Sequence, residues 1–232
     1  MMLPSLNEEQ AQELLAKKKA FAESEGKGDD VCQNLKCRCE RCTCGAACTC
    51  NISPDVTCDP CAEFKKSVVA KANGERLAAS EIFYEEKIES NYDDVQTILA
   101  SEVMEALEKR TPEVLLIDVR SPAERSVSTI PGSKTAAEFD ADPEGLGAGK
   151  LVVPFCTIGG RSCQYVKQLL DRPSQPWSEL RNFKLSIIGW CHAGGPLVDS
   201  KGNASKQVHA CGENWAGMFP VSGFEVVLEP KV

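Results

Sequence analysis

Short apolar runs alternate with amphipathic stretches along the second half of the chain. The apolar runs predict strands at residues 97–99, 114–117, 151–155 and 183–189. Between them, Ser101 is expected to cap a helix over residues 102–110, and residues 162–170 have a helical pattern. Uninterrupted apolar runs are typical of strands that are buried on both faces of a parallel sheet. The pattern therefore predicts an α/β fold with a mainly parallel sheet and helices on both faces.

The first ninety residues follow a different pattern. Residues 7–22 contain strong helix formers, with acidic residues early and lysines late, and predict a short helix. Residues 62–90 predict another helix, broken near Asn73 and Gly74. The stretch between them has almost no large apolar residues, so burial alone does not order it. We predict an N-terminal helix and spacer (1–30), a Cys-rich module (31–61), a helical linker (62–93) and an α/β domain (94–232) whose tail from Asp199 packs against it.

Charge and segment composition limit the function classes. The formal net charge is −8 and the pI is about 5.0, so no overall electrostatic attraction to nucleic acid or anionic membranes is expected. No apolar run approaches the ~20 residues that span a bilayer. The N-terminus lacks the pattern of a secretory or organellar targeting segment, and we therefore expect a cytoplasmic location without nucleic-acid or membrane partners.

The cysteines are concentrated in one short segment. Thirteen cysteines occur in the chain. Those of the Cys-rich module are Cys32, Cys37, Cys39, Cys42, Cys44, Cys48, Cys50, Cys58 and Cys61. Thiolates at this density bind Zn²⁺ or Cu⁺, and Cys-x-Cys pairs favour bridging two metal ions. The segment resembles a short metallothionein in these repeats. We predict a metal-thiolate module that folds only with its metal.

Two other interpretations of this segment are weaker. A disulfide knot requires an oxidising compartment and leaves one of the cysteines unpaired. An iron–sulfur cluster normally uses four well-spaced thiolates, fewer than the segment offers. Zn²⁺ or Cu⁺ therefore remains the predicted cofactor of this segment.

A single cysteine outside the Cys-rich module stands at a strand-to-helix junction. Cys156 follows the apolar run 151–155 and precedes a predicted helix, with Gly159 and Gly160 in the intervening loop. Such a loop can turn backbone N–H groups toward one anion. Together with Arg161, these groups should lower the pKa of the Cys156 thiol. The alternative is that Cys156 is a small buried hydrophobic residue, for which the Gly-Gly-Arg-Ser context is poor core material.

The loop resembles the active-site segment Cys-x-x-Gly-x-Arg of the rhodanese family, matched by Cys156, Gly159 and Arg161. Three further segments are similar to that family in the same order: residues 116–124 (LIDVRSPAE), 130–133 (IPGS) and 189–198 (GWCHAGGPLV). The similarity covers about residues 97–198. The chain departs from the family pattern at residues 128–129, which replace a frequent Gly-His, and at Trp190, which replaces a Gly.

This resemblance implies that Cys156 takes a sulfane sulfur from thiosulfate or a persulfide and passes it to cyanide or a thiol, without a cofactor. The implied substrate-binding loop consists of Thr157, Ile158, Gly159, Gly160 and Arg161. Within it, Arg161 would hold the anionic donor. Asp118 and Arg120 are expected to brace the fold as an ion pair. The implied partners are a small-molecule sulfur donor, a thiol or cyanide acceptor, and a protein persulfide partner.

Two alternatives to a sulfurtransferase stay open. A phosphatase or arsenate reductase would use a cysteine and an arginine around an oxyanion, but with one more residue between them than the four found here. A non-catalytic rhodanese scaffold would leave metal chelation or sensing to the Cys-rich module, although such a scaffold has no need for Cys156 and Arg161. The cysteines at 163, 191 and 211 are expected to be structural.

Overall fold

The computed structural model of the protein describes residues 6–27, 31–33, 35, 40, 41, 59–110 and 113–229, with backbone only for residues 59–65 and 68. The helices in this part of the chain are α1 (Glu8–Ser24), α2 (Asp59–Lys87), α3 (Ala100–Lys109), α4 (Pro122–Val127), α5 (Ala136–Ala141), α6 (Pro143–Gly147), α7 (Gly160–Leu170), α8 (Ser186–His192) and α9 (Glu213–Ala216). A short 3₁₀ helix spans Glu89–Asn91. No helix among these residues is long and apolar enough to cross a membrane.

The strands of the same part of the chain are β1 (Thr97–Ile98), β2 (Val114–Asp118), β3 (Lys134–Thr135), β4 (Leu151–Phe155), β5 (Glu179–Leu180), β6 (Asn182–Phe183), β7 (Leu197–Val198), β8 (Ala204–Ser205), β9 (Gln207–His209) and β10 (Glu225–Val227). The central sheet has the order β3-β2-β4-β5, and all its pairings are parallel. Val114 pairs with Leu151 and Asp118 with Phe155. The predicted α/β class with a mainly parallel sheet is confirmed.

Both faces of the central sheet are covered, because alternate side chains of β2 and β4 enter different apolar clusters. Leu116 and Val153 belong to the larger cluster, together with residues of α3 and α8. Ile117 and Val152 point the other way and pack with Phe139 of α5 and with α7. Burial on both faces explains why β2 and β4 are uninterrupted apolar runs in the sequence.

Shorter pairings join the rest of this compact unit, which comprises Ala72–Val232. β1 runs parallel to β6, β7 antiparallel to β8, and β9 parallel to β10. The tail after Asp199 supplies Val208 and Phe219 to the larger apolar cluster, and neither side chain is exposed. The tail thus packs against the domain, as predicted.

The break predicted near Asn73 and Gly74 is wrong, because α2 is continuous through both residues. A glycine inside a helix costs only about 1 kcal/mol relative to alanine. Tertiary contacts on the same turns offset that cost. Asn73 accepts a hydrogen bond from the Val221 amide at 2.8 Å, and Arg76 donates to the Phe219 carbonyl at 2.8 Å.

The strand predicted at residues 183–189 is also wrong beyond its first residue. β6 ends at Phe183, and the residues from Ser186 onward form α8. Leu185 and Ser186 adopt positive φ angles of 59° and 47°, which turn the chain out of the extended conformation. The helix α8 is buried on nearly all sides, so its sequence lacks the polar stripe that separates a helix from a strand.

The start of α3 was predicted two residues too late. The capping position is Leu99, whose backbone N–H donates to the Glu102 carboxylate at 2.8 Å, and Ser101 lies inside the first turn. A carboxylate at the third helical position satisfies the backbone N–H of the capping residue, so the helix can begin after Leu99 without a serine cap.

The other compact unit comprises Met1–Lys71. The predicted N-terminal helix is confirmed as α1, which Asn7 and Gln10 cap reciprocally. Among the predicted metal ligands the structure describes one side chain, that of Cys32, which is buried and lies 3.5 Å from the Lys18 ammonium. Cys37, Cys39, Cys42, Cys44, Cys48, Cys50 and Cys58, and the side chain of Cys61, lie outside the described residues. The metal module stays a prediction.

Candidate active site

The cysteine loop begins where β4 leaves the carboxyl edge of the central sheet. Cys156 follows Phe155, and Gly159 caps α7 with a φ of 122°. That conformation is open to glycine and strained for other residues. A Cβ atom at Gly159 would also lie 2.5 Å from Cε2 of Tyr84. The glycine is therefore required both for the turn of the loop and for its close packing on α2.

Hydrogen-bond donors converge on the sulfur of Cys156. The Gly159 amide donates to Sγ at 3.1 Å. The hydroxyl groups of Ser162 and Ser186 lie 3.7 and 4.0 Å from Sγ, and each also lies 3.0 Å from a backbone carbonyl oxygen. Ser186 also accepts a hydrogen bond from the Cys156 amide at 3.0 Å, which ties the loop to α8. The Cys156 residue is only 2% exposed. The sulfur is therefore buried at the N-terminus of α7. We call the groups around it, the Gly159 amide and the Ser162 and Ser186 hydroxyls, the cradle.

The cradle favours the thiolate form of Cys156. Burial alone would raise the pKa of the thiol, and it is the strongest single influence. The positive charge of Arg161 and hydrogen bonds from Ser162 and Gly159 together outweigh burial and lower the pKa of Cys156 below its ordinary value. The sequence predicted a lowered pKa for Cys156 from the glycines and the arginine that follow it, and the geometry of the loop agrees with that prediction.

Arg161 is held by a carboxylate that the sequence analysis did not single out. Its two terminal nitrogens donate to Glu124 at 2.7 and 2.8 Å, and one of them also donates to the Thr157 hydroxyl at 2.9 Å. Burial favours protonation of Glu124, but hydrogen bonds from Arg161 and Ser121 hold the pKa of this carboxyl well below its usual range. Glu124 is therefore ionised and fixes the guanidinium beside the loop.

The position of Glu124 near the start of a helix could have been predicted from the sequence. Ser121 and Glu124 form a reciprocal cap at the start of α4, the pattern of Ser followed three residues later by Glu. No local signal exists for Ser186, because it reaches Cys156 from a distant helix. Two of the predicted substrate-binding residues have different surroundings. Thr157 forms a hydrogen bond with Glu124, whereas Ile158 is buried in the larger apolar cluster.

Asp118 and Arg120 form an ion pair beneath the site. The Arg120 guanidinium lies 2.7 Å from the Asp118 carboxylate, and both side chains are almost completely buried. Asp118 also accepts from the Thr129 hydroxyl at 2.6 Å, and Arg120 donates to the Ser128 carbonyl at 2.7 Å. The Arg120 guanidinium lies 5.8 Å from the ring centre of Phe155, the residue before Cys156. The pair thus joins β2 to the segment after α4.

Tyr84 of α2 packs against the cysteine loop and the start of α7. Its hydroxyl lies 3.8 Å from Cys163 of α7 and accepts a hydrogen bond from Asn182 at 2.9 Å. Burial, the strongest influence, raises the pKa of Cys163 to about 11. Cys163 is therefore a protonated thiol at neutral pH, and its pKa is shifted in the opposite direction to that of Cys156.

Substitutions of the Arg161–Glu124 pair are expected to move the pKa of Cys156 in opposite directions. Arg161→Gln removes the nearest positive charge and should raise the pKa, so labelling by iodoacetamide should begin at higher pH. Glu124→Gln removes the compensating negative charge and should lower it. The measurement is the labelling rate of the Cys156 peptide against pH by mass spectrometry. Arg172→Gln, which removes a guanidinium paired with Asp140, is the control. Shifts of the same sign in both variants would contradict electrostatic control of Cys156.

No family model and no curated protein matches the sequence. Solved structures similar to the chain include a thiosulfate sulfurtransferase from Pseudomonas aeruginosa, with 24% identity over 56% of this chain and 24% of that chain and a TM-score of 0.39. A rhodanese-related protein from Thermoplasma volcanium is 24% identical over 44% of this chain and 97% of its own, with a TM-score of 0.36. A protein of unknown function and possible tyrosine phosphatase from Rhodopseudomonas palustris is 20% identical over 56% and 92%, with a TM-score of 0.38. The similar region spans about a quarter of the Pseudomonas protein.

Proposed function

We propose that this chain is a sulfurtransferase of the rhodanese type that carries a sulfane sulfur on Cys156. The observation that carries the proposal is the cradle around Sγ of Cys156, where the Gly159 amide, the Ser162 hydroxyl and the charge of Arg161 stabilise an anionic sulfur. The same donors would stabilise the terminal anion of a persulfide. Cys163 is a buried thiol whose pKa is raised to about 11, mainly by burial, so it stays protonated and is a poor nucleophile.

The reaction has two nucleophilic steps. The Cys156 thiolate attacks the outer sulfur of thiosulfate, a new S–S bond forms, and the S–S bond of thiosulfate breaks with release of sulfite. Cyanide or a thiolate then attacks the outer sulfur of the persulfide, and Cys156 leaves as the thiolate. No electrons are gained or lost overall, so the chemistry needs no redox cofactor.

Arg161 serves both steps while it stays paired with Glu124. Its side chain is 39% exposed, whereas that of Glu124 is 3% exposed. The guanidinium can therefore meet an anionic donor that arrives from solvent, and the buried carboxylate keeps it oriented. Thr157, which bonds to both partners, fixes the geometry of the pair.

The test is to incubate the protein with thiosulfate and to map added sulfur by mass spectrometry, alongside thiosulfate:cyanide turnover. One added sulfur atom on the Cys156 peptide, removed by cyanide with formation of thiocyanate, is the expected result. Hydrolysis of p-nitrophenyl phosphate serves as the matched assay for oxyanion chemistry. Phosphate release without a sulfur adduct on Cys156 would overturn the proposal in favour of a phosphatase.

We further propose that the Cys-rich module binds Zn²⁺ or Cu⁺. Support comes from the spacing of its cysteines and, within the described part of the chain, from Cys32 beside the buried Lys18 ammonium. An ammonium at this position would offset part of the negative charge of a metal-thiolate cluster.

A further inference from the structure

The first turn of α8 holds the backbone of the cysteine loop. The Ile187 amide donates to the Cys156 carbonyl at 3.3 Å, and the Ile188 amide donates to the Thr157 carbonyl at 3.2 Å. Amides in the first turn of a helix have no partner within the helix, and here the loop carbonyls accept from two of them. Because α8 is almost completely buried, the loop is attached to a closely packed part of the core.

The Ser186 hydroxyl adds to this contact and acts on Cys156 through the backbone. It accepts a hydrogen bond from the Cys156 amide at 3.0 Å and donates its own proton to the Phe183 carbonyl at 3.0 Å. A serine hydroxyl has one proton to donate. The sulfur of Cys156 lies 4.0 Å away, so the Phe183 carbonyl is the closer acceptor. The hydroxyl therefore fixes the Cys156 amide rather than supplying a hydrogen bond to the sulfur.

The backbone at the start of α8 has a conformation that suits glycine, although no glycine is present there. Leu185 and Ser186 have φ angles of 59° and 47°. Such angles are strained for residues with a Cβ atom, and they persist where the surrounding contacts over-determine them, often at functional sites. Both residues are buried, at 4% and 0% exposed. A glycine at position 186 would relieve the strain but would lack the hydroxyl, so the turn alone gives no reason for a serine here.

We propose that Ser186 is a positioning residue for the transfer of sulfur, which orients Cys156 by accepting the hydrogen bond from its backbone amide. The proposal deepens the proposed function and rests on it. With the amide fixed, the side chain of Cys156 places its sulfur 3.1 Å from the Gly159 amide. Without the hydroxyl, a buried N–H group is left without its acceptor, and the peptide group has to shift to find another. The sulfur then moves away from the Gly159 amide and out of line with the donor.

The test compares Ser186→Ala and Ser186→Gly, which both remove the hydroxyl but differ in how well they tolerate a positive φ. The rate constant for sulfur loading at saturating thiosulfate should fall by about tenfold or more in both variants, because a small displacement of a reacting atom is costly. The pH midpoint of iodoacetamide labelling at Cys156 should move to higher pH in both, since the sulfur loses the Gly159 donor. A residue that only stabilised the turn would change neither quantity in the glycine variant.

Ser80→Ala is the matched control for these two variants. Ser80 is also completely buried, and its hydroxyl donates to the Arg76 carbonyl at 2.8 Å within α2. Its removal should leave both the loading rate and the labelling midpoint at their wild-type values. Circular dichroism establishes that each variant is folded. Ser186→Gly relieves the strain at this position and therefore decides the question if the alanine variant does not fold.

The outcomes separate this proposal from the proposed function. A wild-type loading rate and a wild-type labelling midpoint in folded Ser186→Gly would overturn the role of Ser186 and leave the sulfurtransferase standing. If thiosulfate loads no sulfur onto Cys156 of the wild type, the proposed function fails. The labelling midpoints, which do not depend on thiosulfate, then decide separately whether Ser186 positions the thiol.

Discussion

Replacing Cys156 with alanine should abolish thiosulfate:cyanide turnover, with a loss of at least about a thousandfold in kcat. Both steps of the proposed reaction pass through a covalent bond to this sulfur, so no other described group can substitute for it. Cys156→Ser is the closer isostere, because it keeps a small polar side chain in the cradle of Gly159 and Ser162. It should be equally inactive, since a hydroxyl at neutral pH is a far weaker nucleophile than a thiolate.

The control for this prediction is Cys191→Ala. Cys191 is buried, and burial, the strongest influence, raises the pKa of its thiol to about 12. Its removal should leave turnover within about twofold of the wild type if only the activated thiol matters. Circular dichroism and thermal unfolding of all variants establish that each is folded. Turnover that survives in folded Cys156→Ala would refute the role of this residue.

Breaking the Asp118–Arg120 pair should have the largest effect on stability, about 3–5 kcal/mol lost in Arg120→Met. Both side chains are buried, and the substitution would leave the Asp118 carboxyl group in the interior without the guanidinium that compensates it. The hydrogen bond from Arg120 to the Ser128 carbonyl would be lost as well. The measurement is urea unfolding at neutral pH, followed by tryptophan fluorescence.

A double variant, Asp118→Asn with Arg120→Met, distinguishes the pair from general core disruption. If the cost of the single change is mainly an unpaired buried charge, the double variant should be more stable than Arg120→Met alone. Lys150→Met, which breaks a partly exposed pair with Glu113, should change the unfolding free energy little. Strictly additive losses in the double variant would show that the charges are not coupled.

The order of elements in the α/β domain could be predicted from local patterns. β2 and β4 lie at their predicted positions because strands buried on both faces must be apolar throughout. The junction at Cys156 was predictable for a related reason, since Gly159 and Gly160 after an apolar strand permit a tight turn into a helix. The helix α8 was taken for a strand because a fully buried helix loses its polar stripe.

The cysteine loop, the neighbouring Arg161 and the class of fold could be predicted from the sequence, because each depends on residues that are close along the chain. The groups that surround the sulfur became visible only in the folded chain. Ser186 and Glu124 reach the loop from other helices. Their roles depend on distances of a few ångströms between segments that are tens of residues apart, and local periodicity carries no information about such distances.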